Sequence, residues 1–161
     1  FFEKPADEII KSTEEDEFKG VFALNQKLYF AVKSKYFDAP LSHVSMMNIQ
    51  RLKQKENDKE SVNVFFEEGY FQLVHLEAGE ITFSNHFTFV SYEEVLYHLV
   101  NFYDKKNISR ERIPLRIAGL KADDPLLKEM EKYFYEIEEL QTSLPSELED
   151  KKEYHCFLLA L

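Results

Sequence analysis

The chain has little of the residue types that mark specialised chemistry. A single cysteine, Cys156, in 161 residues excludes an internal disulfide and a cysteine-based zinc site, and it favours a reducing compartment. The four glycines are not clustered, so there is no glycine-rich phosphate loop. No apolar run approaches the ~20 residues that span a bilayer, and no signal sequence opens the chain. These absences predict a cytoplasmic protein.

Basic residues are too few and too scattered to form a nucleic-acid surface. Twenty Lys and Arg stand against 30 Asp and Glu, and the resulting formal charge of -10 repels phosphate backbones and anionic lipids. The densest basic run, Arg51 to Lys59, is interleaved with acidic residues and has no aromatic residue to stack on bases. We therefore expect neither nucleic acid nor a membrane as a partner.

The first 50 residues predict a peripheral segment followed by buried structure. Residues 1–17 are acidic and lack apolar periodicity, which predicts a linker or a peripheral helix. The chain begins without methionine, so we expect it to be part of a longer protein. Val21 to Leu24 and Leu28 to Val32 are β-rich runs that form either a hairpin or a strand leading into a helix, buried in both cases. Leu41 to Leu52 predicts a helix, and Lys53 to Ser61 a surface loop.

Three successive strands give the clearest pattern. Val62 to Phe66, Tyr70 to Leu76 and Ile81 to Phe89 are separated by short turns that contain Gly69 and Gly79. Because side chains alternate along a strand, the third strand has one packed and one polar face. The packed face consists of Ile81, Phe83, Asn85, Phe87 and Phe89.

A capped helix and a fourth strand follow. Ser91 and Glu94 match a capping box, which predicts a helix from about Tyr92 to Lys105. Leu115 to Ala118 is a short strand, and we expect it to join parallel to the first strand because a helix between two strands makes a right-handed crossover.

A second helix is predicted after Asp123 and Asp124. Asp124 precedes Pro125, so these acidic residues are explained as the helix cap and its flanking charge. Its buried face is Leu126, Leu127, Met130, Phe134, Ile137 and Leu140. The type of the terminal segment Tyr154 to Leu161 stays open.

Candidate catalytic and metal-binding residues have simpler structural explanations. Glu67 and Glu68 lie at a turn, where paired carboxylates most often face solvent. His75 and His86 could approach one another across two strands, but without a carboxylate or cysteine they make a weak metal site. His155 and Cys156 are adjacent, and no third group orients a base. We therefore assign no catalytic residue and no metal ligand.

Four segments together resemble a known family. Phe18 to Leu24, Val62 to Tyr92, Ile113 to Gly119 and Tyr154 to Phe157 resemble, in order and spacing, an uncharacterised bacterial family that looks like a divergent actin-like ATPase. The resemblance implies an α/β, ribonuclease H-like (actin-like ATPase) fold, whose mixed sheet has three antiparallel strands followed by helix, strand and helix. Family members are longer at the N-terminus, so residues 18–161 would be the second lobe, with the first lobe mostly absent.

The nucleotide motifs of related folds are degenerate in this chain. Relatives of the fold include pilus-assembly actin homologues, sugar kinases and chaperone ATPases. Their second phosphate motif begins with Asp and contains a close-approach Gly and a later Thr, which fall on Asn63, Phe65 and Gly69. Their adenosine Gly-Gly pair falls on Ala118 and Gly119, so Gly119 is the one motif residue that is retained.

These substitutions favour a non-enzymatic interaction module, a pseudo-ATPase without a cofactor that binds another protein or forms a homodimer. Because the first lobe would be mostly absent, apolar surface along Val21 to Val32 and Tyr154 to Leu161 that would otherwise pack against it is expected to be exposed and to support association. The alternative is a nucleotide-binding actin-like ATPase whose phosphate site depends on an absent N-terminal lobe. A metal-dependent nuclease is disfavoured because Asn63 replaces the carboxylate that its first strand needs.

Overall fold

The computed structural model describes residues 8–15, 18–38, 42–55 and 60–140. These residues divide into two compact units, the first ending at Met47 and the second beginning at Asn48. The elements in chain order are β1 (Glu8–Glu15), β2 (Phe18–Asn25), α1 (Gln26–Lys35), α2 (Val44–Lys55), β3 (Ser61–Glu67), β4 (Tyr70–Glu77), β5 (Glu80–Thr88), α3 (Tyr92–Lys106), β6 (Leu115–Ala118), α4 (Pro125–Met130) and β7 (Ile137–Glu139).

The first unit contains a two-stranded antiparallel sheet followed directly by a helix. The sequence predicts a linker or peripheral helix up to residue 17, but the described part of that segment is strand β1, paired with β2 along its whole length. β-branched residues, including Ile9 and Ile10, favour the extended backbone. Of the two alternatives for the next stretch, the structure has the strand that leads into a helix. The Asn25 side-chain oxygen caps α1 by accepting from the amides of Lys27 and Leu28.

The expectation that this stretch is buried is wrong. Val21 is 65% exposed and Phe30 is 56% exposed, and α1 contains no buried residue. Only one side of β2, that of Gly20, Phe22 and Leu24, is even half-buried, and the described residues of the other side are exposed.

Helix α2 ends at Lys55, beyond its predicted end at Leu52. The predicted surface loop therefore does not begin at Lys53. Lys and Gln are good helix formers and carry the helix through this polar stretch. Residues 56–59 of the predicted loop lie outside the described part of the chain.

The second unit is built on a five-stranded mixed sheet in the order β5-β4-β3-β6-β7. β3, β4 and β5 are successive antiparallel neighbours, whereas β6 pairs parallel to β3 and β7 pairs parallel to β6. The predicted α/β content and mixed sheet are confirmed. Helix α3 connects β5 to β6. The ends of β3, β4, β5 and β6 differ from their predicted bounds by one residue at most.

One face of this sheet holds the apolar core. Alternation places Val62, Val64 and Phe66 of β3 on that face, together with Phe71 and Leu73 of β4. Helix α3 covers them with Val95, Leu99, Phe102 and Tyr103. The predicted faces of β5 are confirmed at Phe83, Phe87 and Phe89, which pack against this core, whereas Asn85 is exposed.

The helix caps agree with the sequence, with one difference. The Ser91 hydroxyl accepts from the Glu94 amide at 3.4 Å, as a capping box requires. The Glu94 carboxylate, however, accepts from the Val90 amide at 2.8 Å, one residue before the predicted donor. Asp124 caps α4 through the Leu126 amide, with Pro125 in the first turn.

The predicted long helix after Pro125 is wrong beyond Met130. Helix α4 has six residues, and Ile137–Glu139 forms strand β7 instead. Pairing with β6 overrides the helical spacing of the apolar residues, because the Leu115 amide donates to the Glu136 carbonyl and the Leu140 amide donates to the Ile117 carbonyl. Within the described ranges, no helix is long and apolar enough to cross a membrane.

Candidate functional site

Asn63, which falls where the phosphate motif has its Asp, is buried inside the second unit. It lies on β3 and points to the face opposite the apolar core. Its side-chain Nδ2 donates to the Ser61 hydroxyl at 3.0 Å and lies 3.4 Å from the Ser61 carbonyl oxygen. Among the described residues, no group donates to the buried Asn63 Oδ1. The amide is therefore held within the sheet and is not displayed at a surface.

Phe65 occupies the next position on the same face of β3. Its side chain is 6% exposed, and it does not belong to the apolar core on the other face. Its register partner on β6 is Ala118, which is also buried. A bulky ring therefore fills the position where the motif has a close-approach glycine.

Gly119 lies where β6 ends beside β3. Its φ is +90°, and a β-carbon built there would lie 2.2 Å from the Phe66 carbonyl oxygen. Because a side chain would meet backbone and not a movable group, this position requires glycine. The one retained motif residue thus has a complete structural explanation.

Gly69 has a different reason to be glycine. It lies in the turn between β3 and β4 with φ +77°, and a β-carbon added there would have no atom within 4 Å. Its conformation, rather than crowding, selects glycine.

Gly119 and Phe65 come together at the carboxyl ends of β3 and β6, whereas Asn63 lies two residues further into the sheet.

Two acidic residues lie at the turn between β3 and β4: Glu67 ends β3, and Glu68 is in the turn itself and exposed. Burial raises the pKa of the Glu67 carboxyl. Its register partner Tyr70 has a raised phenol pKa, first because of burial and second because of the Glu67 charge. A pKa raised by burial means that the folded protein disfavours the charged form of this carboxyl relative to water.

Sequence reasoning missed an ion pair beside Asn63. Arg116 on β6 is the register partner of Asn63, and its Nε donates to Glu138 Oε2 at 2.6 Å. The Arg116 side chain is largely buried, whereas that of Glu138 is partly open to solvent. The sequence could have indicated this pair, because Arg116 lies in the middle of the apolar run Leu115 to Ala118 and a largely buried charge needs a partner.

A second missed network crosses the same face of the sheet. The Asn48 amide on α2 donates to the Gln72 side-chain oxygen at 3.0 Å, and the Gln72 amide donates to the Ser84 hydroxyl at 3.2 Å. Asn48 and Gln72 are both buried. Asn48, Gln72 and Ser84 are therefore bonded to one another on this face, whereas the buried Asn63 Oδ1 receives no hydrogen bond from the described residues.

The two strand histidines do not form a site. His75 pairs in register with Phe83 and His86 pairs with Gln72, so the two rings lie on opposite faces of the sheet. The buried His75 ring bridges Thr82 Oγ1 at 2.6 Å and Glu60 Oε1 at 3.1 Å. Burial, and secondarily the Glu60 charge, raise the pKa of the nearby Tyr103 phenol.

No group of three His, Cys, Asp or Glu side chains able to hold a metal occurs in the described ranges. His155 and Cys156 lie outside those ranges, as does the terminal segment Tyr154 to Leu161.

Comparison with solved structures identifies the fold. The chain is similar to a Bacteroides thetaiotaomicron protein described as having an actin-like ATPase fold and unknown function, with a TM-score of 0.76 and 17% identity. The match covers 86% of this chain and 56% of that protein, so this chain spans little more than half its length. At this identity the similarity shows the fold alone.

Sequence comparisons give the family. No curated protein matches the chain. The model of the family described as a protein of unknown function, DUF3822, matches residues 3–137, which is most of the chain. The chain belongs to the DUF3822 family, and its fold is that of a divergent actin-like ATPase.

Proposed function

We propose that this chain is a non-enzymatic protein-interaction module on a degenerate actin-like fold, that is, a pseudo-ATPase. The observation that carries the proposal is the burial of Asn63 and Phe65 in the second unit. Neither residue is available to a phosphate group, because the amide is hydrogen-bonded within the sheet and the ring fills the approach path.

The chemistry of phosphoryl transfer gives the physical reason. A nucleotide site of this fold needs a carboxylate to orient the metal and its water, and a backbone that comes close to the phosphates. Asn63 is neutral, so its amide oxygen would bring a hard cation a ligand without the negative charge of a carboxylate. Arg116, the cation beside it, is engaged by Glu138.

The finer fold assignment is part of the same proposal. The three antiparallel strands, the crossover helix α3 and the parallel strand β6 support a ribonuclease H-like second lobe in the second unit. Cytoplasmic residence agrees with the single cysteine.

Exposed apolar side chains in the first unit support a protein partner or a second copy of the chain. Ile10, Val21, Phe30 and Phe37 are each more than half exposed. Large apolar side chains on a surface are typical of contacts with other proteins. Of these four residues, Val21 and Phe30 lie in the segment Val21 to Val32 that the sequence predicts as apolar surface.

Two measurements test the proposal. Calorimetric titration of the chain with magnesium-ATP should give no binding, and light scattering over a concentration series should show a mass that rises above one chain. Val21→Ser together with Phe30→Ser should reduce association. Val90→Ser should not, although Val90 is also exposed, because it lies in the second unit. The proposal would be overturned by micromolar binding of ATP. It would also be overturned if the chain kept a single-chain mass at high micromolar concentration and bound no partner protein.

One observation favours the alternative, a nucleotide-binding actin-like ATPase whose phosphate site depends on an N-terminal lobe. The similar Bacteroides protein is described by its actin-like ATPase fold, and this chain spans 56% of it. Magnesium-ATP binding by a longer form, but not by this chain, would favour that alternative.

A further inference from the structure

Strand β5 forms one edge of the five-stranded sheet. Its residues, Glu80–Thr88, pair with β4 on one side, and among the described residues no strand pairs with the other side. An edge strand presents a row of backbone amides and carbonyls that can pair with another chain. No nucleotide-motif position lies on β5, so this edge is a separate feature of the second unit.

The two edges of the sheet are protected to different degrees. β7, at the opposite edge, has three residues, two of which are Glu138 and Glu139. A short and charged edge strand is a poor template for pairing. β5 has nine residues without lysine, arginine or proline, and its one acidic residue is Glu80 at the first position. The shift in pairing beside His75 and Leu76 lies at the same end, so Phe83 to Thr88 pair regularly.

The hydrogen bonds show which β5 residues direct their backbone groups outward. The Phe89 amide donates to the Gly69 carbonyl at 3.0 Å, toward the β4 side. Because inward and outward groups alternate along an antiparallel pair, the odd-numbered residues of the regular stretch also bond toward β4. In agreement with this alternation, the His86 amide donates to the side-chain oxygen of Asn85 at 2.9 Å. The residues with outward backbone groups are Ser84, His86 and Thr88.

The middle of β5 reads nearly the same in both directions. Phe83 to Phe87 is Phe-Ser-Asn-His-Phe, with a phenylalanine at each end and Asn85 at the centre. Two copies paired antiparallel about Asn85 place Phe83 opposite Phe87 twice, and aromatic pairs of this kind stabilise a sheet. Ser84 and His86, both outward, become the hydrogen-bonded pairs. No Lys, Arg, Asp or Glu in this stretch meets a like charge.

Asn85 is the polar exception on the packed face of β5. On either side of it, Phe83 lies 4.8 Å from the Phe102 ring and Phe87 lies 4.5 Å from the His98 ring, measured between ring centroids. Both phenylalanines are only partly buried by these contacts with α3, and Asn85 between them is exposed. Part of each phenylalanine ring is therefore available to a ring from another strand.

We propose that β5 pairs antiparallel with β5 of a second copy of this chain, about a two-fold axis at Asn85, and so joins two five-stranded sheets. The inference rests on the proposed interaction function and gives it a partner, a second copy, and a contact in the second unit. On pairing, the His86 amide exchanges the Asn85 side-chain oxygen for the Ser84 carbonyl of the second copy. The two Asn85 side chains then face one another, and each has both a donor and an acceptor for the other. A two-fold contact uses the same surface on both copies and closes after two chains.

The test is a cysteine scan of the whole chain, with Cys156→Ser as the background. Asn85→Cys is at the axis, where the Cα atoms of a non-hydrogen-bonded pair are about 4.5 Å apart and within reach of a disulfide. Mild oxidation should therefore give a disulfide-linked dimer on a non-reducing gel. Added salt should speed this reaction, because two chains of charge -10 repel one another.

Two control positions on the same strand fix the register. His86→Cys and Thr88→Cys are equally exposed, but in this register each lies opposite a different residue of the second copy. The nearest approach of two such cysteines is a diagonal one, so their disulfides should form at least about tenfold more slowly than that of Asn85→Cys.

A backbone change tests the strand pairing itself. Adding His86→Pro to Asn85→Cys removes an outward amide and should abolish the cross-link, because proline cannot donate to a second strand. Adding His86→Ala keeps the amide and should leave the yield within about twofold. Thermal unfolding checks that both variants are folded, and the cysteine scan decides alone if the proline variant is not.

Three results would overturn the inference: no dimer from Asn85→Cys, an equal yield from His86→Cys or Thr88→Cys, or a yield that His86→Pro leaves unchanged in a folded chain. Each leaves the proposed interaction function standing, because that function is tested by nucleotide binding and by serine substitutions at Val21 and Phe30. Those substitutions should not alter the β5 cross-link, and neither should Val90→Ser, since Val90 lies beyond the end of β5. Binding of magnesium-ATP would overturn the proposed function without changing the pattern of cross-links.

Discussion

A β-carbon at Gly119 would lie 2.2 Å from the carbonyl oxygen of Phe66. The two backbones approach closely here, where the end of β6 meets β3, and by sequence order this is the position predicted for the adenosine glycine pair of related folds. The glycine is therefore explained by close packing of two backbones, and its presence is not evidence for a nucleotide site.

We predict that Gly119→Ala destabilises the second unit more than Gly69→Ala does. Both glycines have positive φ, so each alanine carries a conformational cost of about 1 kcal/mol or more. Only Gly119 adds a backbone clash, which raises its expected cost by a further 1 to 3 kcal/mol, roughly. Urea unfolding of the two variants measures the difference. Equal losses of unfolding free energy for the two variants would show that β3 and β6 can move apart at Gly119 to admit a methyl group.

Packing of the phenylalanines gives a second comparison. Phe71 is fully buried and stacks on Phe87, with ring centroids 5.3 Å apart, whereas Phe87 is only partly buried. Phe71→Ala should therefore cost about 3 to 5 kcal/mol of unfolding free energy. Phe87→Ala should cost less, roughly 1 to 3 kcal/mol, because part of its ring already contacts water. Urea unfolding decides the order, and a larger loss at Phe87 would contradict the burial.

The strand meander was predictable because its signals are local. Alternation in Ile81 to Phe89 and the positive-φ turn residues Ala78 and Gly79 are properties of a few consecutive residues. β7 was not predictable, since Tyr133 to Leu140 contains a helical spacing that is outweighed by hydrogen bonds to β6, a strand that lies distant in sequence. The motif positions stay a prediction from sequence order, and the burial of Asn63 depends on contacts that no local pattern contains.

The ion pair beside Asn63 should be costly to break and less costly to replace. Glu138→Ala leaves the largely buried Arg116 guanidinium without this carboxylate. We expect the free energy of unfolding to fall by about 1 to 2 kcal/mol, less than for a fully buried pair because Glu138 is partly exposed. The double change Arg116→Met and Glu138→Ala should recover part of that loss, since it removes both charges. A double-mutant cycle by urea unfolding measures the coupling. A strictly additive result would mean that the pair contributes nothing.

Glu67 should make stability depend on pH in a definite direction. Its folded-state pKa is raised by burial, so the folded chain holds the proton more tightly than the unfolded chain does. That contribution is present below the unfolded pKa and is lost as pH rises through the raised folded value. Glu67→Gln should therefore be more stable than the unchanged chain at pH 7, with little difference near pH 4. The effect should stay below about 1 kcal/mol because the side chain is partly solvated. An advantage confined to acid pH would reverse the assignment.

Restoring the motif carboxylate at Asn63 tests the functional conclusion directly. Asn63→Asp places an acid in a fully buried position and removes the amide that donates to Ser61, so stability should fall at pH 7 by about 2 kcal/mol or more. Because burial raises the pKa of such a carboxyl, the loss should shrink as pH falls and the group takes up its proton. Asn63→Leu is the matched control, since it also loses the hydrogen bond but carries no charge and should show no such pH dependence. Millimolar magnesium should leave the Asp variant unchanged, with or without ATP, because Phe65 fills the approach to the site. A rise in its melting temperature with magnesium-ATP, absent from the Leu variant, would show that the site retains a working metal position and that one substitution separates this chain from a nucleotide binder.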